Sequence, residues 1–206
     1  MPDPYTTTVT VKATSQNLTV LETVKQELGI TDINSDDLLL RYIAEQSDVV
    51  NGYCGRKFSK ETIVDSFNVD TGTCFPLILS RKPISSITAI VEISTTLDQS
   101  NYEIDLIGGR VWRLDGGLHS WWPVGKIIVT YTGGYELVTE LPSAVERATI
   151  VLIKQAWFSR TRDPKAKSET VEGIGSIDFW VGASSGEYGI NSEAAELLSP
   201  YRTIYV

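Results

Sequence analysis

The chain is poor in the residues that most often carry chemistry. Its 206 residues include one histidine, one methionine and two cysteines. Cys54 and Cys74 are too few for a disulfide framework and lack the spacing of a metal knuckle, so both read as free, semi-buried thiols. Any Ser-His or Cys-His pair would have to be built on His119, in the loop Gly116-Gly117-Leu118-His119-Ser120-Trp121-Trp122, where a lone imidazole beside tryptophan is more simply a packed or exposed side chain. Gly173-Ile174-Gly175-Ser176-Ile177 lacks the closing glycine of a nucleophile elbow, and no Gly-Lys-Ser/Thr phosphate loop occurs. The 26 acids always offer carboxylate pairs, but Asp36-Asp37 reads as a helix start and the others as solvated. No catalytic residue, metal ligand or cofactor is expected.

Long hydrophobic runs are also missing. Stretches such as Ile127-Ile128-Val129 are far short of the roughly 20 residues that cross a bilayer, which leaves no membrane partner. Met1-Pro2-Asp3-Pro4-Tyr5 has neither a basic nor an apolar segment of a secretory signal, so a cytosolic origin is expected. Positive charge is scarce: 18 Lys and Arg against 26 Asp and Glu leave a net −8, which excludes a surface that grips nucleic acid generally but not a channel through which DNA slides. What remains is ordinary globular composition, 42% hydrophobic and 21% charged, in a chain long enough to bury about 70% of its unfolded surface.

The patterning predicts an α+β fold. A Thr-rich segment from Thr6 to Thr14 is β-like and reads as an arm. Leu18, Leu21 and Leu28 recur at helical spacing, closed by Gly29. Asn34-Ser35-Asp36-Asp37 opens a second helix with stripe Leu39, Tyr42, Ile43, Val49, Val50 and Tyr53, closed by Gly55. After Phe58 the period becomes two: Ile87, Ala89, Val91 and Ile93 share a face, Tyr102, Ile104 and Leu106 alternate with acids, and Gly108-Gly109 turns into Val111-Trp112-Arg113-Leu114. Five or six short, mostly antiparallel strands are expected between Thr62 and Tyr131, because the linkers are too short for crossover helices. Leu141-Pro142-Ser143 starts a third and longest helix, with Val145, Ala148, Thr149, Leu152, Ile153, Ala156 and Trp157 on one stripe. The division follows as 1–58 arm and helical hairpin, 59–140 β block, 141–167 long helix and basic loop, and 168–206 an extended, apolar-ended tail suited to a partner. The β block is thus inserted between the second and third helices of a three-helix body.

Two surface features stand out. Trp121 and Trp122 could form a stacking platform for sugars, although core or interface packing serves such residues as well. Arg160, Arg162, Lys165 and Lys167 form a cationic loop after the third helix, suited to DNA phosphates, to acids on a neighbouring protein or simply to solvent.

Three ordered stretches carry a family resemblance. The first is Ala44-Glu45-Gln46 through Tyr53-Cys54-Gly55-Arg56-Lys57-Phe58; the second is Ile127 to Tyr135, with Tyr131 and Gly134, followed by Leu141-Pro142-Ser143; the third is Leu197-Leu198-Ser199-Pro200-Tyr201-Arg202. Together they resemble the adaptor (head-to-tail connector, head-completion) proteins of long-tailed double-stranded DNA phages and related gene-transfer particles. The resemblance implies a non-enzymatic virion neck protein, made in the host cytoplasm. It implies a homo-oligomeric ring, dodecameric by expectation, docked beneath the portal protein, bridging to the next neck or tail-completion protein and in transient contact with passing DNA. On that footing Leu197, Leu198, Pro200, Tyr201, Arg202 and Ile204 are the expected portal-binding residues, with the tail from about Val181 ordering on the portal. Arg160, Arg162, Lys165 and Lys167 are the expected rim of portal or channel, and Tyr53, Gly55, Arg56, Phe58, Tyr131, Gly134 and Pro142 the structural motif. A stopper or tail-completion protein, and a carbohydrate-binding host-surface module built on Trp121 and Trp122, are the alternatives.

Overall fold

A computed structural model describes residues 5–71, 76–137, 139–160, 168–171, 175–178 and 190–203. The fold is α+β, with eight strands between the second and third helices where the pattern predicts the β block, one strand before the first helix and two after the third. The chain divides into two compact units: Met1–Ser15 with Lys57–Glu140, and Gln16–Arg56 with Leu141–Val206. This differs from the expected grouping of 1–58, because the N-terminal segment is not an arm. It is strand β1 (Tyr5–Val11), paired antiparallel along β2 (Glu61–Val69), and so belongs to the β unit.

The β unit continues with β3 (Leu77–Ile78), β4 (Ile84–Glu92), β5 (Thr95–Thr96), β6 (Tyr102–Asp105), β7 (Arg110–Asp115), β8 (Leu118–Ser120) and β9 (Gly125–Gly133). Eight strands therefore lie between Glu61 and Gly133, more than the five or six expected, since β3, β5 and β8 are too short to show a period. One sheet has the order β1-β2-β9-β4-β5; a second runs β3-β7-β6, with β8 on β7. All their strand pairs are antiparallel. The hairpin from β6 to β7 turns through Gly108-Gly109 as predicted, with Gly109 at φ 66°.

Ile63, Ile90, Trp122, Ile127, Val129 and Tyr131, all buried, form the heart of the β unit's core. The expected single face for Ile87, Ala89, Val91 and Ile93 fails. Ile87 lies opposite Tyr131 but Ala89 lies opposite Thr130 and Ile90 opposite Val129, so a bulge at Thr88 exchanges the two faces of β4. Ile90 is consequently buried, and Ile93 ends exposed at φ 60°.

The helical unit contains α1 (Leu21–Leu28), α2 (Asp36–Cys54), α3 (Ser143–Ser159), the strands β10 (Ser168–Val171) and β11 (Gly175–Asp178), and α4 (Ser192–Leu198). The first two helices end as their glycines dictate. Gly29 and Gly55 take left-handed φ values of 68° and 63°, letting the following backbone return N–H groups to the last turn: Ile30 to Lys25 and Arg56 to Asn51. Ser35 makes no side-chain cap, but the acids of the first turn of α2 remain useful, Asp36 pairing with Lys25 at 2.7 Å. Val24, Leu39, Ile43, Ile153 and Trp157 fill the core. At 19 residues α2 exceeds the 17 of α3, which is not the longest helix as expected. The helical body also has four helices among the described residues rather than three, because the tail forms α4. Asn191 caps it, accepting from the Ala194 N–H at 2.8 Å, and Ile190, Ala194 and Leu198 are buried as it packs on α3.

Candidate functional site

The sequence motifs resolve into local structural devices. Gly55 supplies the left-handed residue that ends α2, and Pro142 occupies the position before α3, its carbonyl accepting from Val145 at 2.9 Å. Within the helical unit the end of the third motif is seated on the end of the first. After a short 3-10 turn over Ser199–Tyr201, the Thr203 N–H donates to the Cys54 carbonyl at 2.8 Å, and the Arg202 guanidinium lies 4.6 Å from the centre of the Tyr53 ring. Arg56 and Arg202 both oppose the effect of burial on the Cys54 thiol; burial wins and pushes it up to about 11, which keeps it protonated and unreactive near neutral pH.

Over residues 190–203 the tail is therefore folded back on its own unit, not extended as expected of 168–206; residues 179–189, where the ordering on the portal is expected to begin, lie outside the described residues. Leu198 is 0% exposed, which removes it from the apolar anchors a partner could grip; Leu197 and Tyr201 are half-buried, and Pro200 and Arg202 are exposed. Ile204 lies outside the described residues.

In the β unit the motif residues form a second seam. Phe58 is buried and its carbonyl accepts from the Tyr135 N–H at 2.7 Å, while Lys60 donates back to Tyr135 at 2.9 Å. Gly134, at φ 102°, passes so close to the Ser59 carbonyl that any Cβ would collide with it. Tyr131 belongs to a buried polar cluster that the motif analysis missed. Its hydroxyl donates to Asp65 at 2.8 Å and accepts from the Arg81 N–H at 2.9 Å, and Asp65 also accepts from the Ser80 N–H at 2.8 Å. Burial, with the nearby Asp65 charge, raises the Tyr131 hydroxyl far above its ordinary value, so it remains a donor at any physiological pH. Beside it, Glu61 receives Arg81 at 3.2 Å. The signal was present in β2, where Glu61, Ile63 and Asp65 share the inward parity: two acids at positions that alternation assigns to the core.

The remaining candidates separate. Trp122 is fully buried, and only Trp121, 63% exposed, faces solvent, so the two do not form a paired stacking platform. His119 binds Glu103 at 2.9 Å and stacks on Trp112 with centroids 5.6 Å apart, on an exposed part of the small sheet. Arg160 lies 3.4 Å from the centre of the Trp157 ring and donates to the Trp157 carbonyl at 2.6 Å, closing the end of α3. Arg162, Lys165 and Lys167 lie outside the described residues. Among the described residues no three His, Cys, Asp or Glu side chains gather as metal ligands would, and no helix is long and apolar enough to cross a membrane.

At both seams backbone hydrogen bonds join chain at or beside the motif residues, Thr203 with Cys54 and Tyr135 with Phe58. Comparison with known proteins finds a family model that covers part of the chain. The family described as "Phage gp6-like head-tail connector protein" matches residues 18–80, the stretch that holds the first motif, in agreement with the resemblance. Solved structures similar to the chain include the "Neck of empty GTA particle computed with C6 symmetry" (TM-score 0.60, 16% identity, 98% of this chain and 97% of that one). They also include the "Neck of native GTA particle computed with C12 symmetry" (0.59, 17%, 98% and 97%) and the "Virion of native gene transfer agent (GTA) particle" (0.61, 16%, 97% and 96%). At these identities the likeness is one of fold. No curated protein matches the chain at a significant level.

Proposed function

We propose that the chain is a non-catalytic structural protein of the neck of a phage-like or gene-transfer particle, acting as an adaptor subunit in a homo-oligomeric ring beneath the portal. The observation that carries this reading is end-to-end similarity of fold: a chain from a symmetric particle neck matches over 98% of this chain and 97% of its own length, leaving no domain of either unmatched. The connector-family match over residues 18–80, which holds the first motif, and the order of the two later motifs support it further. On this reading the ring bridges the portal to the next neck or tail-completion protein and surrounds the DNA path. A net charge of −8 suits a wall past which DNA slides without being held.

The portal contact belongs to Leu197, Pro200, Tyr201, Arg202 and Ile204, with Leu198 withdrawn to the core. Arg160, Arg162, Lys165 and Lys167 form the rim toward portal or DNA. Mixing the purified chain with a cognate portal and imaging the product by negative-stain microscopy tests the reading: a coaxial ring on the portal is expected. A ring that binds tail tube and ignores portal would make the chain a stopper instead.

A further inference from the structure

We infer that neighbouring subunits of the ring are joined by strand addition, the β10–β11 hairpin of one copy pairing with the open edge of β1 in the next. This deepens the ring reading and rests on it. The five-stranded sheet has two edges, and they are unlike. At the β4 side the edge is interrupted by two bulges, at Ser85 and Thr88, and covered at one end by β5; the Ile84 N–H is taken by the Leu106 carbonyl and the Ile90 carbonyl by the Leu97 N–H. Those are the devices by which proteins stop an edge from recruiting another strand.

At the β1 side such protection is almost absent. Tyr5-Thr6-Thr7-Thr8-Val9-Thr10-Val11 contains no charge and no proline, six of its seven residues are exposed, and its only irregularity is at the far end, at Thr10. It pairs with β2 alone, so one row of its backbone donors and acceptors has no strand partner among the described residues. A β-rich, uncharged edge of this length is an invitation to pairing.

The chain carries a matching element. β10 and β11 form a two-stranded sheet of their own, register Ser168 opposite Asp178 to Val171 opposite Gly175, joined to neither larger sheet among the described residues. Two strands alone are marginal in water, and a third strand is what they lack. Symmetry selects the arrangement. A β1 edge pairing with another β1 edge is self-complementary and closes as a dimer, whereas a ring needs two different surfaces on each copy meeting head to tail. The hairpin and the β1 edge are two such surfaces, and the similar particle necks have C6 and C12 symmetry.

The test is oxidative cross-linking in full-length protein assembled on portal, with Cys74→Ser to lower background and buried Cys54 retained. One cysteine is placed in β1, at Thr6, Thr7 or Thr8, and one in β10 or β11, at Thr170 or Ser176, in pairwise combination. Head-to-tail pairing predicts that at least one double variant gives a covalent ladder reaching the full ring, while each single variant stays monomeric. Mixing the two single variants should give a heterodimer. Dimers from a β1 cysteine alone, or no ladder from any combination, overturn the inference. Imaging the same samples separates the two claims: portal-bound rings without a ladder remove only the strand addition, whereas absence of rings from the wild-type control removes the adaptor reading itself.

Discussion

The two units solve the same problem, holding a small core in one arrangement, by different means. The β unit places charge and hydroxyls inside: Asp65 is fully buried and surrounded by Tyr131 and Ser80, with the Glu61–Arg81 pair beside it. The helical unit buries neutral polar groups, Thr19, Ser47, Asn51 and Thr149, beside an apolar core of Val24, Leu39, Ile43 and Ile153, but keeps its charges at the margin, where Glu27 of α1 receives Lys154 and Arg147 of α3 and Lys25 meets Asp36. Sheets need the first device more. A one-residue slip of β9 against β2 would exchange every face, and a buried carboxylate that must meet one particular tyrosine penalises the slip. Helices carry their register in their own backbone bonds, so apolar area and correct ends suffice.

The largest effect separating the units should come from the apolar one. Leu198→Ala removes a fully buried side chain from the packing of α4 and should cost about 3 kcal/mol, within the range for buried leucines. Urea unfolding followed by helical circular dichroism measures it. Deleting residues 195–206 to test portal binding would incur the same loss, so Arg202→Ala is the cleaner variant. In the β unit, Asp65→Ala leaves the Tyr131 hydroxyl and the Ser80 N–H without their buried acceptor and should cost on the order of 2–3 kcal/mol. Tyr131→Phe, which keeps the ring, should cost about 1 kcal/mol. If Asp65→Ala proves milder than Tyr131→Phe, the buried carboxylate is not what fixes the sheet.

The same contrast explains what could be read from the sequence. Helix ends were legible because Gly29 and Gly55 act through the nearest turn, and the stripe of α3 because its burial repeats within a few residues. The β6–β7 hairpin was legible through Gly108-Gly109. Features decided by partners remote in sequence were not. β1 is a strand because of β2, more than fifty residues away; the bulge at Thr88 exists only relative to β9; and Leu198 is buried because α3 is there to receive it. In the candidate site, the sequence singles out motif positions but not what they meet, since Arg202 over Tyr53 and Thr203 on Cys54 join residues about 150 apart.

Backbone geometry gives a smaller effect of the same kind in both units. Gly55→Ala forces a side chain into the left-handed region at φ 63° and should cost about 1–2 kcal/mol. Gly134→Ala adds to a similar strain the collision with the Ser59 carbonyl, and should exceed it. Thermal unfolding of the two variants checks the order; equal losses would mean the Gly134 passage relaxes freely.

The smallest effect is electrostatic and belongs to the helical unit alone. The Lys154 hydrogen bond and charge, helped by Arg147, hold the Glu27 carboxyl below its ordinary value of 4.5. A carboxylate depressed on folding stabilises the folded state fully above its unfolded pKa, and that contribution fades as pH falls through the lower folded value. The stability difference between wild type and Glu27→Gln should therefore be constant from neutral pH down to about 5 and shrink steadily below 4.5. Because Glu27 is solvent-facing, the difference should also diminish between 0.05 and 0.5 M salt, on the order of the screening expected for an exposed pair. The buried Glu61–Arg81 pair of the β unit should respond far less to salt, so Glu27→Gln and Glu61→Gln measured across one salt series set the margin of one unit directly against the interior of the other.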